Sequence, residues 1–65
     1  MKIRFLKSAV VEIQKPRLEE VWDKSYHKWD VVRVDNIIDN GRSVDLITED
    51  GDTLLGVPRE SFEFI

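Results

Sequence analysis

Two dipeptides, Asn40-Gly41 and Asp50-Gly51, constrain the fold of this chain more than any other feature in it. Asn-Gly and Asp-Gly accept the positive φ angles of a type I′ turn, whose twist matches that of two antiparallel strands. β-branched and aliphatic residues flank both pairs. The spacing therefore predicts a three-stranded meander: Trp29 to Ile38, Ser43 to Thr48 and Thr53 to Val57. Side chains alternate across a strand. Val32, Val34 and Ile38 then share one face of the first strand, and Val31, Arg33 and Asp35 the other. Val44 and Leu46 face inward from the second, opposite Asp45.

The chain has 65 residues, enough for one domain, and the reading is a single domain over residues 1–65. A domain of this size buries only about 60% of its unfolded surface, so the core is small and leaves no room for a deep cleft. There is no cysteine, so neither disulfides nor thiolate metal sites can staple it. Charged residues make up 35% and hydrophobic residues 42%, the balance of a folded globular chain. The net charge of -3 runs against the basic excess that nucleic-acid binders use to displace counterions. Lys2, Arg4 and Lys7 interrupt the apolar residues of the N-terminus, so neither a membrane span nor a signal peptide is expected there. The expected location is cytoplasmic.

The first half is less regular. Ile3, Phe5, Val11 and Ile13 fall on odd positions, which predicts strand from Met1 to Ile13 with a kink around Lys7-Ser8. From Lys15 to His27 two readings stand. Pro16 can open a short helix with Leu18, Val21 and Trp22 on one face. Alternatively the segment is a long irregular loop with Trp22 tucked back on the domain. Such a loop offers few side chains for burial and is expected to be the most mobile part of the chain.

The residues that could carry chemistry do not assemble into a site. Asp35, Asp39, Asp45, Glu49, Asp50 and Asp52 invite a calcium loop. Setting Gly41 at the invariant glycine of that loop puts Ile38 in a ligand position, and setting Gly51 there puts Leu46 and Thr48 in two. His27 is the sole histidine, too few for a zinc site. No base is implied beside Ser8, Ser25, Ser43 or Ser61. The three glycines are isolated in turns, so no phosphate loop exists. No enzyme activity, metal or cofactor is expected. Arg4, Lys7, Lys15, Arg17, Lys24 and Lys28 concentrate in the first half, as solvated charge or as a small patch for phosphate.

Trp22, Tyr26 and Trp29 are dense for so short a chain. Large apolar side chains are mostly buried, so these rings can simply cap an open end of the core. Left exposed, they make an aromatic groove for a peptide.

Lys28-Trp29-Asp30-Val31-Val32-Arg33-Val34 resembles the Lys-Gly-Asp-hydrophobic run that opens the second strand of SH3 domains. Gly56-Val57-Pro58-Arg59-Glu60-Ser61-Phe62-Glu63-Phe64-Ile65 resembles that family's Gly-x-hydrophobic-Pro-x-x-Tyr-Val ending. Gln14 to His27 takes the place of the long first (RT) loop, and the resemblance covers about two-thirds of the chain. The resemblance implies a mostly β, five-stranded, partly open SH3-like barrel, of the kind bacteria and phages also encode as small free-standing proteins. A short 3₁₀ turn from Pro58 to Phe62 would precede a last strand at Glu63 to Ile65. The implied core is Ile3, Phe5, Val11, Ile13, Val32, Val34, Ile38, Val44, Leu46, Leu55, Val57 and Phe62. Pro58 matches the family's groove proline, and Phe62 its tyrosine without the hydroxyl. The family's tryptophan after the second hairpin turn and its Ala-Leu-Tyr-Asp-Tyr signature are both missing. The resemblance implies a protein-interaction or accessory module, non-catalytic given the residues above, a monomer or weak dimer, with a protein or peptide partner and no membrane. Its surface would be Trp22, Tyr26, Trp29, Pro58 and Phe62. The alternative is a nucleic-acid-associated small barrel using the basic first half, since the Lys28 motif is also similar to KOW modules. Those modules carry more glycine and more basic charge than this chain.

Overall fold

The structure is a computed structural model that describes all 65 residues. Seven strands form one open antiparallel sheet: β1 (Lys2–Phe5), β2 (Ala9–Gln14), β3 (Val21–Tyr26), β4 (Val31–Asp39), β5 (Ser43–Thr48), β6 (Thr53–Pro58) and β7 (Phe62–Phe64). A single 3₁₀ turn, Arg59–Ser61, precedes β7. The spatial order is β3-β2-β6-β5-β4-β1-β7, with β3 and β7 at the edges. The expectation of five strands in a barrel is corrected to seven in a sheet whose hydrogen bonding does not close. The sheet is nevertheless strongly curled. β1 and β2, each next to an edge, are joined only by Leu6, Lys7 and Ser8. No helix is long and apolar enough to cross a membrane.

The expected kink falls at Leu6 to Ser8 and divides the first strand into β1 and β2. The larger correction is at Lys15 to His27. Its second half is neither helix nor irregular loop but β3, in register with β2 from Ala9↔Tyr26 to Gln14↔Val21. Pro16 does not open a helix. The Leu18 amide donates to the Lys15 carbonyl at 3.3 Å across Pro16 and Arg17, and Arg17 has φ +62°. Proline second and positive φ third is the pattern of a type II turn.

The two glycine turns sit where expected, but neither is type I′, because Gly41 and Gly51 alone have positive φ in them. In the β5–β6 turn the Gly51 amide donates to the Thr48 carbonyl at 2.9 Å, and the Thr48 amide to the Asp52 carbonyl at 2.8 Å. That is a three-residue hairpin loop ending in a left-handed glycine. The tip of the β2–β3 hairpin docks on it. Lys15 Nζ reaches Asp52 Oδ2 at 2.8 Å, and Pro16 lies so close to Gly51 that an added Cβ would meet its ring at 3.1 Å.

Ten apolar side chains form the core: Ile3, Phe5, Val11, Ile13, Val34, Val44, Leu46, Leu54, Val57 and Phe62. Three expected members differ. Val32 is only partly buried, Ile38 is 46% exposed, and Leu54 replaces Leu55. Bulges explain Ile38 and Leu54. On β4 the register shifts between Val34 and Asn36, so Ile37 packs against the core and Ile38 turns outward. On β6, Leu54 and Val57 pair with Leu46 and Val44, three residues against two. The extra residue lies at Leu55-Gly56. Gly56 has φ +61°, and its amide donates to Asp45 Oδ1 at 2.9 Å. Alternation has a period of two, so one inserted residue swaps the faces beyond it.

Candidate functional site

The five residues expected to share a surface are distributed over several places. Phe62 is 7% exposed and lies in the core, where it was also expected. It lies opposite Phe5 on β1 and meets Phe64 edge to face at 5.6 Å. Pro58, exposed at the end of β6, lines a shallow hollow with Ala9, Val10 and Leu55. Tyr26 is half-buried, its ring stacked on Phe5 at 4.7 Å between centroids.

Trp22 owes its position to the β2–β3 ladder. Residues directly opposite each other in an antiparallel pair project to one face. Ile13 and Val11 face the core, so their partners Trp22 and Lys24 face the same way, as does Tyr26 opposite Ala9. Trp22 lies at the far end of the edge strand from Tyr26, about 13 Å along it at roughly 3.3 Å per residue. There it outruns the core and stays 46% exposed, its indole N–H donating to Glu20 Oε2 at 3.3 Å.

Between β3 and β4 the sheet leaves a hollow lined by Lys24, Tyr26, Val31, Val32, Arg33 and the Thr48–Asp52 turn. Burial pushes the Tyr26 hydroxyl above its ordinary pKa. The Asp52 carboxylate adds to this, and Lys15 opposes it. The acids at the rim are Glu49, Asp50 and Asp52, and Asp52 is committed to Lys15.

Trp29 is not in a strand, as the sequence suggested, but in the turn before β4. The Asp30 amide donates to the His27 carbonyl at 3.0 Å, closing a four-residue turn with Trp29 third at φ +77°. That is the glycine position of a type II turn. A side chain in the left-handed region costs roughly 1–2 kcal/mol. The strain is held by two bonds to β1: the Trp29 amide to the Phe5 carbonyl at 2.7 Å, and the Phe5 amide to the Asp30 carbonyl at 2.9 Å. The indole is 56% exposed, with Lys28 Nζ 4.9 Å and the Arg4 guanidinium 5.6 Å from its ring centroid. The positive φ of Trp29 was legible only as its place in the Lys28-Trp29-Asp30 motif, where the similar SH3 motif has glycine.

No three His, Asp or Glu side chains are placed to hold a metal ion. His27 faces Asp30 at 3.7 Å on an exposed turn, and the buried Ser61 hydroxyl donates to the Pro58 carbonyl at 2.7 Å. Both contacts tie turns together. The chain matches no protein-family model, no curated protein and no solved structure.

Proposed function

We propose that this chain is a non-catalytic protein-interaction or accessory module of the SH3-like kind, which binds through Trp22, Tyr26 and Trp29, with Pro58 in a separate hollow. The exposure of the two tryptophans carries the reading. Ten apolar residues pack into one core while both indoles stay about half in water, one of them on a strained turn. Exposed rigid aromatics give binding surfaces contact area at low entropic cost. The SH3-like part of the proposal is supported by the hairpin in the position of the long first loop, the curled sheet, and the 3₁₀ turn ahead of the last short strand.

The test is capture from a lysate on the immobilised wild-type chain and on a Trp22→Ala/Trp29→Ala variant. A protein recovered by the wild type and lost by the variant is the expected result. Recovery of nucleic acid without protein, or equal recovery by both, overturns the proposal. Tryptophan emission should be red-shifted in the free protein, since both indoles meet solvent.

A second reading, nucleic-acid binding, is favoured by the cations beside Trp29, namely Arg4 and Lys28. Binding of that kind weakens steeply as salt rises.

A further inference from the structure

The outer face of β1 and β4 concentrates two features that work against stability. The first is the strained turn at Trp29. The second is a like-charged pair: Lys2 and Arg33 are direct cross-strand partners, both exposed. Opposed like charges destabilise a sheet. Neither Lys2 nor Arg33 takes part in an ion pair, and neither does Lys28. One step along the same face, Arg4 lies opposite Val31, which is itself exposed, and reaches over the Trp29 ring. Lys2 and Arg33, then Arg4 beside exposed Val31, and then Lys28 at the exposed indole thus follow one another along this face, in a chain whose net charge is -3.

We propose that this face, running from Lys2 and Arg33 to Trp29, docks an acidic peptide segment of a partner protein that also carries apolar side chains. The inference rests on the protein-interaction reading and names the partner's chemistry. Charge complementarity selects an anion, and the surroundings select a short one. Glu63 holds Arg4 at 3.0 Å, and Glu49 shares a hollow with Met1, Lys2, Arg33 and Ile65. Asp35 is exposed and follows Arg33 at the same parity along β4, and Asp30 accepts the His27 amide within the turn. A long polyanion would run from the cations onto these carboxylates, whereas a peptide can place its acids on the cations alone. The neighbouring edge suits a peptide as well. β7 pairs only with β1, and exposed Phe64 and Ile65 stand at its end. A strand edge offers hydrogen bonds to a peptide backbone that a nucleic acid cannot use.

The test uses the ¹⁵N-labelled wild-type chain, with the two indole N–H signals as reporters. Three probes are titrated: a ten-residue peptide of Glu and Leu, the same peptide with Gln for Glu, and an oligothymidylate of equal charge. The acidic peptide should shift the Trp29 signal more than the Trp22 signal and bind at least tenfold more tightly than either other probe. Lys2→Glu with Arg33→Glu should weaken it at least tenfold. The milder Lys2→Ser with Arg33→Ser should weaken it in the same direction, should the reversal disturb folding. An unshifted Trp29 signal, equal binding of the Gln peptide, tighter binding of the oligothymidylate, or indifference to both double variants overturns the inference. Trp-dependent capture of a protein that ignores these variants leaves the interaction reading standing and removes this one. A bound acidic peptide without any captured protein overturns the interaction reading and, with it, the partner named here.

Discussion

Arg59 Nη2 lies 2.7 Å from Asp39 Oδ1, so the 3₁₀ turn before the last strand clasps the turn between β4 and β5. The same guanidinium donates from Nε to the Gly41 carbonyl at 2.7 Å, and the Arg59 amide donates to the Arg42 carbonyl at 3.1 Å. The Gly41 amide, and after it Arg59, hold the Asp39 carboxyl below its ordinary pKa. A group depressed in the folded state stabilises above its unfolded pKa, near 4, and that contribution is lost as pH falls through the folded value. Asp39→Ala should therefore lower Tm at pH 6, and the difference from wild type should shrink at pH 3. Both partners are solvent-exposed, so the effect at pH 6 should be small. Thermal melts at the two pH values check it.

Trp29 inverts the usual ranking of alanine and glycine. Both substitutions remove the indole, but only alanine keeps a Cβ at φ +77°. Trp29→Gly should be more stable than Trp29→Ala by about 1 kcal/mol, read from urea unfolding midpoints. Equal stability, or a more stable alanine variant, would mean that the turn does not hold this φ in solution.

The β6 bulge separates two adjacent leucines. Leu54 is fully buried, and Leu55 is only partly so. Leu54→Ala should cost about 2–5 kcal/mol, a large fraction of the stability of a domain of this size. Leu55→Ala should cost less than about 1 kcal/mol and leave a cooperative melt. A regular strand without the bulge would reverse the order.

Burial and Asp52 raise the Tyr26 hydroxyl, so the folded state favours its neutral form. That contribution is fully present below the unfolded pKa, near 10, and is lost as pH rises through the higher folded value. Above pH 10 the wild type should lose Tm faster than Tyr26→Phe, and below pH 9 the two should change in parallel.

Hydrogen exchange separates an edge strand from an irregular loop between Val21 and Tyr26. β3 pairs with β2 on one side only, so its protected and fast-exchanging amides should alternate. β5, flanked by β4 and β6, should be slow throughout its core-facing stretch from Val44 to Leu46. Uniformly fast exchange across β3 would return the segment to a loop.

Much of the sheet was legible because nothing disturbs its period. Ile3 and Phe5, Val11 and Ile13, and Val44 and Leu46 alternate without interruption and all enter the core. The turns at Gly41 and Gly51 were located by the demand for positive φ, although one positive angle in each suffices where two were expected. Of the aromatics expected at a partner surface, Trp22 and Trp29 are exposed and Phe62 is buried. Composition does not say which aromatic the core has room for.

Local sequence alone thus determined the strands that bury one face and the places where the chain must turn. Tertiary structure decided the rest. β3 needs no apolar alternation of its own, because an edge strand takes its hydrogen bonds from β2 and leaves most of its side chains in water. The faces of Ile37, Ile38, Leu54 and Leu55 depend on bulges set by pairing with β5, since one residue added to a two-residue period exchanges inside for outside. Trp29 adopts a glycine's conformation because β1 holds both sides of its turn, a constraint supplied by residues far away in the chain.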